Sequence, residues 1–193
     1  FAKDGSMDEL ATAPALADLI RAGASVRGLA RTDEFAYSIA GDNAHYGTPP
    51  NAALPGALPG GSSSGAASAV ALGQADVGLA TDTAGSIRVP ASYQGLWGLR
   101  TTHGLVPRQG VLPLAQSFDT VGWLTRDGAT LQRVAEWCLS YDGSDSTESV
   151  YGESGDDLPW RFLVPDEVVD AADAATREVF DSLVARLAAS DDP

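Results

Sequence analysis

Four stretches of the chain have the residue pattern of a helix. They lie at residues 12–22, 64–74, 127–139 and 166–187. The first has the clearest boundaries, because Thr12 can cap it, Pro14 stands in its first turn and Gly23 follows its end. The second is built from Ala, Ser and Gly, so a helix there must pack closely against neighbouring backbone. Residues 33–37 predict a shorter helical turn, and residues 86–93 predict a loop or a helical turn.

Short apolar runs between these stretches predict buried strands. They lie at residues 24–29, 76–81, 95–99 and 161–164. Strands that alternate with helices favour an α/β fold, here a mixed central β-sheet flanked by helices. We expect the first three strands to share one sheet, with the helices at 12–22 and 64–74 packed on it. Residues 39–61 are dense in glycine, proline and asparagine, which predicts a long loop of the kind that is often functional.

Composition divides the chain into three parts. Residues 142–157 contain six acidic side chains, four serines and no basic side chain, which indicates a solvated linker or excursion. Residues 1–141 would form the core and hold the reactive motifs. Residues 158–193 would continue the same domain as a strand and a helix.

Charge and cysteine content exclude several classes of function. The 193 residues carry 12 basic and 26 acidic side chains, and the net charge of -14 would repel nucleic acid and anionic membranes. No apolar run approaches the roughly 20 residues that a membrane-spanning helix needs. The single cysteine, Cys138, lies among apolar residues and is expected to be a buried thiol, which fits a cytoplasmic location. His45 and His103 lie far apart in the sequence, so we expect no metal site and no cofactor.

Two motifs rich in glycine and serine contain the candidate chemistry. They read Pro59-Gly-Gly-Ser-Ser-Ser-Gly65 and Thr81-Asp-Thr-Ala-Gly-Ser-Ile-Arg-Val-Pro90. Neither ends in the Gly-Lys-Ser/Thr of a phosphate-binding P-loop, and both adjoin apolar segments, which argues against a flexible linker. A serine nucleophile remains, and it needs a base for its proton and fixed donors for the oxyanion. Because neither histidine is near these motifs, the base must be another group.

Together the two motifs resemble those of the amidase signature family of serine hydrolases, and their separation matches as well. The resemblance covers roughly residues 3–139 and includes three further segments, at 33–36, 95–104 and 112–122. A weaker similarity, at residues 42–49, 116–117 and 121–123, is to the plant-type indole-3-acetamide hydrolase branch. That similarity favours small aryl or alkyl acetamides as substrates. The family domain is about twice as long, so the chain is expected to hold its N-terminal half.

The resemblance implies a catalytic triad of Lys3, Ser62 and Ser86. Ser86 would be the nucleophile, Ser62 would follow a cis peptide bond from Gly61, and a neutral Lys3 would accept the proton through Ser62. Lys3 is the only lysine in the chain, and an arginine could not release a proton in this way. The backbone amides of four successive residues would form the oxyanion hole: Thr83, Ala84, Gly85 and Ser86. The family usually has glycine where this chain has Ala84.

Supporting roles follow for the residues around the two serines. Asp82 and Arg88 flank the nucleophile and are expected to form an ion pair that fixes the loop. Ser63 and Ser64 are candidates for capping the helix that follows them, and Ser63 is also a candidate for lining the site.

The implied activity is hydrolysis of a carboxylic amide to an acid plus ammonia or an amine, through an acyl-enzyme and without a cofactor. Two other functions stay open: a non-catalytic amidase-like scaffold module, and the amidase subunit of a tRNA-dependent amidotransferase. The expected ligand is a small-molecule amide, with no nucleic acid or membrane partner. Because the family sheet draws strands from both halves of its domain, this chain should expose an apolar surface. A homodimer or a complementary C-terminal half would then cover it.

Overall fold

The computed structural model describes residues 12–140 and 163–189. The chain divides into two compact units, Phe1–Val150 and Tyr151–Pro193. Lys3 and the predicted linker at 142–157 lie outside the described residues. None of the helices in the described ranges combines the length and the apolar composition that crossing a membrane requires.

The first unit confirms the predicted α/β class, with helices on both sides of a small sheet. Its elements are α1 (Pro14–Arg21), a 3₁₀ turn (Glu34–Ala36), α2 (Ser64–Ala71), β1 (Val77–Asp82), α3 (Arg88–Gln94), β2 (Trp97–Arg100), β3 (Thr120–Thr125) and α4 (Gly128–Ser140). The helices predicted at 12–22, 64–74 and 127–139 are therefore present, and the turn at 86–93 is a helix. Residues 39–61 form a long loop without helix or strand, as predicted.

The predicted cap of α1 is wrong. Ala13, not Thr12, stands at the N-cap position, and no side chain bonds to the first turn. Pro14 occupies the start of the helix as expected, and it has no amide hydrogen that would need a cap. Gly23 follows the helix with a φ of 90°, which glycine adopts readily.

The sheet has the strand order β1-β3-β2, and both pairings in the described part are antiparallel. β1 and β2 confirm the strands predicted at 76–81 and 95–99, each displaced by one or two residues. The central strand β3 was not predicted. Its apolar run at 121–124 is short and contains Gly122, a weak strand former, although all six residues of the strand are buried. A side chain at Gly122 would meet the Leu99 carbonyl of β2, which explains the glycine.

Two apolar clusters hold the helices against opposite faces of the sheet. Side chains from α2 and α3 meet Leu124 of β3 in the first cluster. Side chains from α1 and α4 meet Val121 and Trp123 in the second, which also contains Cys138. Successive β3 side chains point to opposite faces, so this one strand contributes to both clusters. The helices predicted to pack on the sheet do so, with α1 and α2 on different sides.

The strand predicted at 24–29 is not formed. The segment has no regular structure, and Val26 and Leu29 are exposed. Its alanine, serine and glycine bury little area. The Ala24 N–H donates to the Leu19 carbonyl of α1 at 3.0 Å, and the next bond to the core comes after the segment, from Gly65 N–H to the Arg31 carbonyl at 2.9 Å. The segment is therefore an irregular connection between α1 and the 3₁₀ turn.

The second unit contains α5 (Asp166–Asp170) and α6 (Ala174–Ala188) where one helix was predicted at 166–187. The break has a local cause, because Asp173 has extended backbone and its side chain accepts the Thr176 N–H at 2.8 Å, which starts a new helix. Of the strand predicted at 161–164, residues 161 and 162 lie outside the described part. Leu163 and Val164 are not in a strand.

Candidate active site

The structure brings the two serine motifs together at the start of α2 and the end of β1. The Ser63 N–H donates to the Ser86 carbonyl at 3.2 Å, so the turns that contain Ser62 and Ser86 are joined directly. Both serines are buried. The Gly61–Ser62 peptide bond is cis, as the resemblance implied. Lys3, the third predicted member of the triad, lies outside the described residues.

The glycines before Ser62 are required by close backbone packing. A Cβ on Gly60 would lie 2.8 Å from the Pro90 Cα, and Gly60 has a φ of 75°. A Cβ on Gly61 would meet the Asp33 carboxylate and the backbone of Gly41. The segment at 39–41 lies this close because its carbonyls accept hydrogen bonds from the amides of both glycines. The Gly61 N–H, for example, donates to the Ile39 carbonyl at 2.8 Å. The long loop therefore packs directly against the turn that contains Ser62.

Asp33 is a buried carboxylate that the sequence reasoning did not assign to the site. Its Oδ2 accepts the Gly41 N–H at 3.0 Å, and its Oδ1 accepts the Ser64 hydroxyl at 3.4 Å. Its own N–H donates to the Ser62 carbonyl at 3.0 Å. Asp33 therefore ties the long loop to the turn that contains the cis peptide. The signal in the sequence was an acidic residue in one of the segments that resemble the family, at 33–36.

Ser63 and Ser64 do not cap α2 through their side chains. The Ser63 hydroxyl donates to the Thr81 carbonyl at 3.2 Å, and the Ser64 hydroxyl donates to Asp33. Ser63 stands at the N-cap position, but no side chain bonds to the first turn. Both hydroxyls are buried beside acceptors from other segments, which compete successfully for them. They join α2 to β1 and to the 3₁₀ turn instead.

Asp82 is the centre of the loop that holds Ser86, and its predicted ion pair with Arg88 is confirmed. The Arg88 guanidinium binds both carboxylate oxygens, at 2.9 and 3.1 Å. The carboxylate also accepts three backbone amides around the nucleophile: Gly85 at 2.9 Å, Ile87 at 3.1 Å and Arg88 at 3.3 Å. Burial alone would raise the pKa of Asp82, but the bonds from Arg88 and from these amides lower it to about 2. The carboxylate is therefore charged at neutral pH and fixes the backbone on both sides of Ser86.

Two further residues that sequence reasoning missed hold the other side of this loop. Asp119 accepts the Thr83 hydroxyl at 2.6 Å, and the backbone amides of Leu114 and Ala115 bond to the same carboxylate. Burial opposes ionisation of Asp119, yet these bonds hold the pKa of its carboxyl below the ordinary value. Arg100, at the end of β2, donates to Asp82 Oδ1 at 3.0 Å. Both residues fall in segments that resemble the family, but neither stands within the two serine motifs.

Among the four amides predicted for an oxyanion hole, one has another partner. The Gly85 N–H donates to Asp82 Oδ1, so it could serve an oxyanion only as a shared donor. The predicted oxyanion hole therefore depends on the amides of Thr83, Ala84 and Ser86. Gly85 has a φ of 130°, a conformation that residues with a side chain rarely adopt.

A family model described as Amidase matches residues 9–189. The chain belongs to the amidase family. It is 56% identical over 129 residues to Amidase 1 of Oryza sativa subsp. japonica, which covers 67% of this chain and 30% of the rice protein. It is 48% identical over 128 residues to Translocon at the outer membrane of chloroplasts 64 of Pisum sativum, which covers 66% of this chain and 22% of the pea protein.

More distant members of the amidase family are similar as well. One subunit of the glutamyl-tRNA(Gln) amidotransferase of Methanothermobacter thermautotrophicus is 44% identical over 120 residues, which cover 62% of this chain and 26% of that subunit. A crystal structure of an amidase has a TM-score of 0.76 at 33% identity and covers 92% of this chain and 39% of its own. The chain thus spans less than a third of the length of each of these three curated relatives.

The histidines and the cysteine have other surroundings than the two serine motifs. Within residues 12–140 and 163–189, no cluster of three or more His, Cys, Asp or Glu side chains could hold a metal ion. The His103 ring nitrogen lies 3.0 Å from the Gln116 carbonyl, and His45 is exposed on the long loop. Cys138 is buried as predicted, and burial, with the nearby charge of Asp18, raises its pKa to about 11.

Proposed function

We propose that this chain carries the nucleophile of an amidase that hydrolyses a carboxylic amide to an acid plus ammonia or an amine. The observation that supports it most strongly is the direct bond from the Ser63 amide to the Ser86 carbonyl, which places the two buried serine turns side by side. Asp82 adds support, because its carboxylate holds the backbone on both sides of Ser86. A serine whose backbone is fixed in this way is suited to attack a bound carbonyl carbon.

In the proposed reaction, a proton passes along the triad from Ser86 to Lys3 and then returns to the leaving group. Ser86 Oγ bonds to the amide carbon while its proton passes to Ser62 Oγ, which gives its own proton to Lys3 Nζ. The amides of Thr83, Ala84 and Ser86 would donate to the oxyanion that forms. When the C–N bond breaks, the proton returns through Ser62 to the leaving nitrogen. Water then attacks the acyl ester on Ser86 by the same route and releases the acid.

The experiment compares three serine and lysine variants on a panel of amides that begins with phenylacetamide, with ammonia release as the readout. Ser86→Ala should abolish turnover. Lys3→Arg should lower it by about 10³-fold or more, because a guanidinium cannot accept the proton. Ser92→Ala is the matched control, since Ser92 is exposed on α3 only a few residues away. Turnover by Ser86→Ala at the wild-type rate would refute the proposal.

A second candidate function is that of a non-catalytic scaffold. The 48% identity to the pea protein favours it, since that relative is named as a translocon component and not as a hydrolase. The similarity to an amidotransferase subunit favours a third function, as one subunit of a larger amidotransferase. A folded wild-type chain that releases no ammonia from any amide would favour the scaffold. Turnover of glutamine only when other subunits are added would favour the amidotransferase.

We also propose that the exposed apolar side chains are covered, either by a complementary C-terminal half of the domain or by a second copy of the chain. Trp97 on β2 is 58% exposed, and Leu112 and Phe118 between β2 and β3 are 69% and 61% exposed. Side chains of this size are usually buried at interfaces. Light scattering that shows a stable monomer of the chain would contradict the proposal.

The single buried thiol supports a cytoplasmic location, which cell fractionation would test.

A further inference from the structure

We propose that Arg100 is a positioning residue for the oxyanion hole, which it orients by binding the carbonyls of Asp82 and Thr83. This inference rests on the proposed function. Arg100 does not touch the reacting atoms in this proposal. It fixes the direction in which the amides of Thr83 and Ala84 point.

The contacts of Arg100 converge on the backbone between β1 and Ser86. The two N–H groups of one terminal nitrogen are shared among four acceptors: the Asp82 carbonyl, Asp82 Oδ1 at 3.0 Å, the Thr120 hydroxyl at 3.3 Å and the Thr83 carbonyl at 3.4 Å. The other donates to the Phe118 carbonyl at 2.8 Å, next to Asp119. The side chain of Arg100 is 24% exposed, so these bonds form in a partly dry environment. One guanidinium therefore joins the ends of β1 and β2 to the beginning of β3.

Because these carbonyls are held by hydrogen bonds, the geometry of the peptide bond also fixes the direction of two N–H groups. In a trans peptide, the C=O of one residue and the N–H of the next lie in one plane and point in opposite directions. Both peptide bonds, from Asp82 to Thr83 and from Thr83 to Ala84, are trans. The carbonyls face Arg100, so the N–H groups of Thr83 and Ala84 face away from it. These are two of the three amides on which the proposed oxyanion hole depends.

Neighbouring bonds restrict the same two peptide planes further. The Asp82 carbonyl also accepts the Thr120 hydroxyl at 2.8 Å, and the Thr83 side chain donates to Asp119 at 2.6 Å. An arginine suits this place better than a lysine, since its planar fork can reach several acceptors at once.

Arg126 offers a matched control at the opposite end of β1. It also donates to two carbonyls, those of Val70 at 2.8 Å and Ala75 at 2.6 Å, and to one carboxylate, Asp76, at 2.8 Å. Arg126→Gln therefore removes the same kind of contacts from the same part of the fold without reaching the Ser86 turn. A purely structural role for Arg100 predicts that the two substitutions behave alike.

The test uses the full chain and measures ground-state and tetrahedral-state binding separately. Phenylacetamide supplies kcat and KM, phenylacetate serves as a ground-state ligand, and benzylboronic acid forms a tetrahedral adduct with a serine that places a negative oxygen in the hole. Arg100→Gln should lower kcat and the affinity for benzylboronic acid together, by about 10- to 100-fold, somewhat less than the loss of a donor itself. KM and phenylacetate affinity should stay within about threefold. Arg126→Gln should lower the melting temperature and leave all four quantities near wild type.

Arg100→Lys keeps the charge and some of the bonds, so it should recover part of the lost kcat and boronate affinity, and it also serves if Arg100→Gln does not fold. Unchanged boronate affinity in both Arg100 variants would overturn the proposal, and so would equal losses of kcat in Arg100→Gln and Arg126→Gln. A wild-type chain that turns over no amide and binds no boronate would instead refute the proposed function itself.

Discussion

Replacing Asp82 by asparagine removes a negative charge to which several hydrogen-bond donors are bound. The carboxylate accepts three backbone amides and two guanidinium groups, and it is fully buried. An asparagine has the same shape but only one accepting oxygen, and its NH₂ would face groups that themselves donate. Asp82→Asn should therefore destabilise the chain and loosen the backbone around Ser86.

The structure sets the expected size of this effect. Removing one partner of a buried ion pair commonly costs about 3–5 kcal/mol, and the lower end applies because the Arg88 side chain is 54% exposed and can turn to water. Part of this stability depends on pH. The folded pKa of about 2 lies below the ordinary value of 3.8, a difference that corresponds to about 2 kcal/mol. Because the folded pKa is the lower one, this contribution is complete above 3.8 and is lost as the pH falls through about 2.

Urea unfolding of wild type and Asp82→Asn in a pH series measures this directly. The difference in free energy of unfolding should be about 3 kcal/mol near neutral pH and should shrink by about 2 kcal/mol between about pH 5 and pH 2. Asp76→Asn is the matched control at the other end of β1. Its ion pair with Arg126 is exposed, since Asp76 is 86% exposed, so the substitution should cost less than about 1 kcal/mol at neutral pH.

Two results would contradict this role of the Asp82 carboxylate. A difference between wild type and Asp82→Asn that does not change with pH would mean that the carboxylate is not stabilised in the folded state. A neutral-pH cost no larger than that of Asp76→Asn would mean that the bonds to the backbone amides contribute nothing.

Three further outcomes follow from single contacts. Asp33→Asn should slow turnover with little change in KM, because it weakens the bonds to Gly41 and Ser64 beside the cis peptide, and normal kcat would contradict that role. Gly65→Ala in α2 should lower the free energy of unfolding by about 1–3 kcal/mol, although alanine normally stabilises a helix, since its Cβ would lie 2.6 Å from the backbone of Arg31. Urea unfolding checks this, and a stabilised variant would contradict it. Cys138 should react with maleimide near neutral pH only after unfolding, because it is buried and its pKa is about 11, and rapid labelling of the folded chain would contradict its burial.

The sequence pattern predicted most elements of the first unit at nearly their observed positions. α1, α4, β1 and β2 lie within one or two residues of their predicted positions. The failures have non-local causes. β3 was missed because Gly122 interrupts its apolar run, and the reason for that glycine is a contact with Leu99 of another strand. The segment at 24–29 pairs with no strand of the described sheet, which its own residues could not show.

In the candidate site, too, contacts between residues close in sequence were predictable and contacts between distant residues were not. The motifs named Ser62, Ser86, Asp82 and Arg88, and the Asp82–Arg88 pair is only six residues apart, so its prediction needed no fold. Arg100 and Asp119 reach the same turn from 18 and 36 residues away, because the order β1-β3-β2 brings their strands together. A pattern of residues cannot predict such contacts without the strand order.

Covalent labelling can decide whether Ser86 is an activated nucleophile. The full chain is treated with a fluorophosphonate probe, digested, and the modified residue is located by mass spectrometry, with Ser86→Ala and Ser92→Ala treated in parallel. We expect one label, on Ser86, which is lost in Ser86→Ala and kept in Ser92→Ala. A folded chain that carries no label, or one whose label lies on another serine and persists in Ser86→Ala, would contradict this role of Ser86.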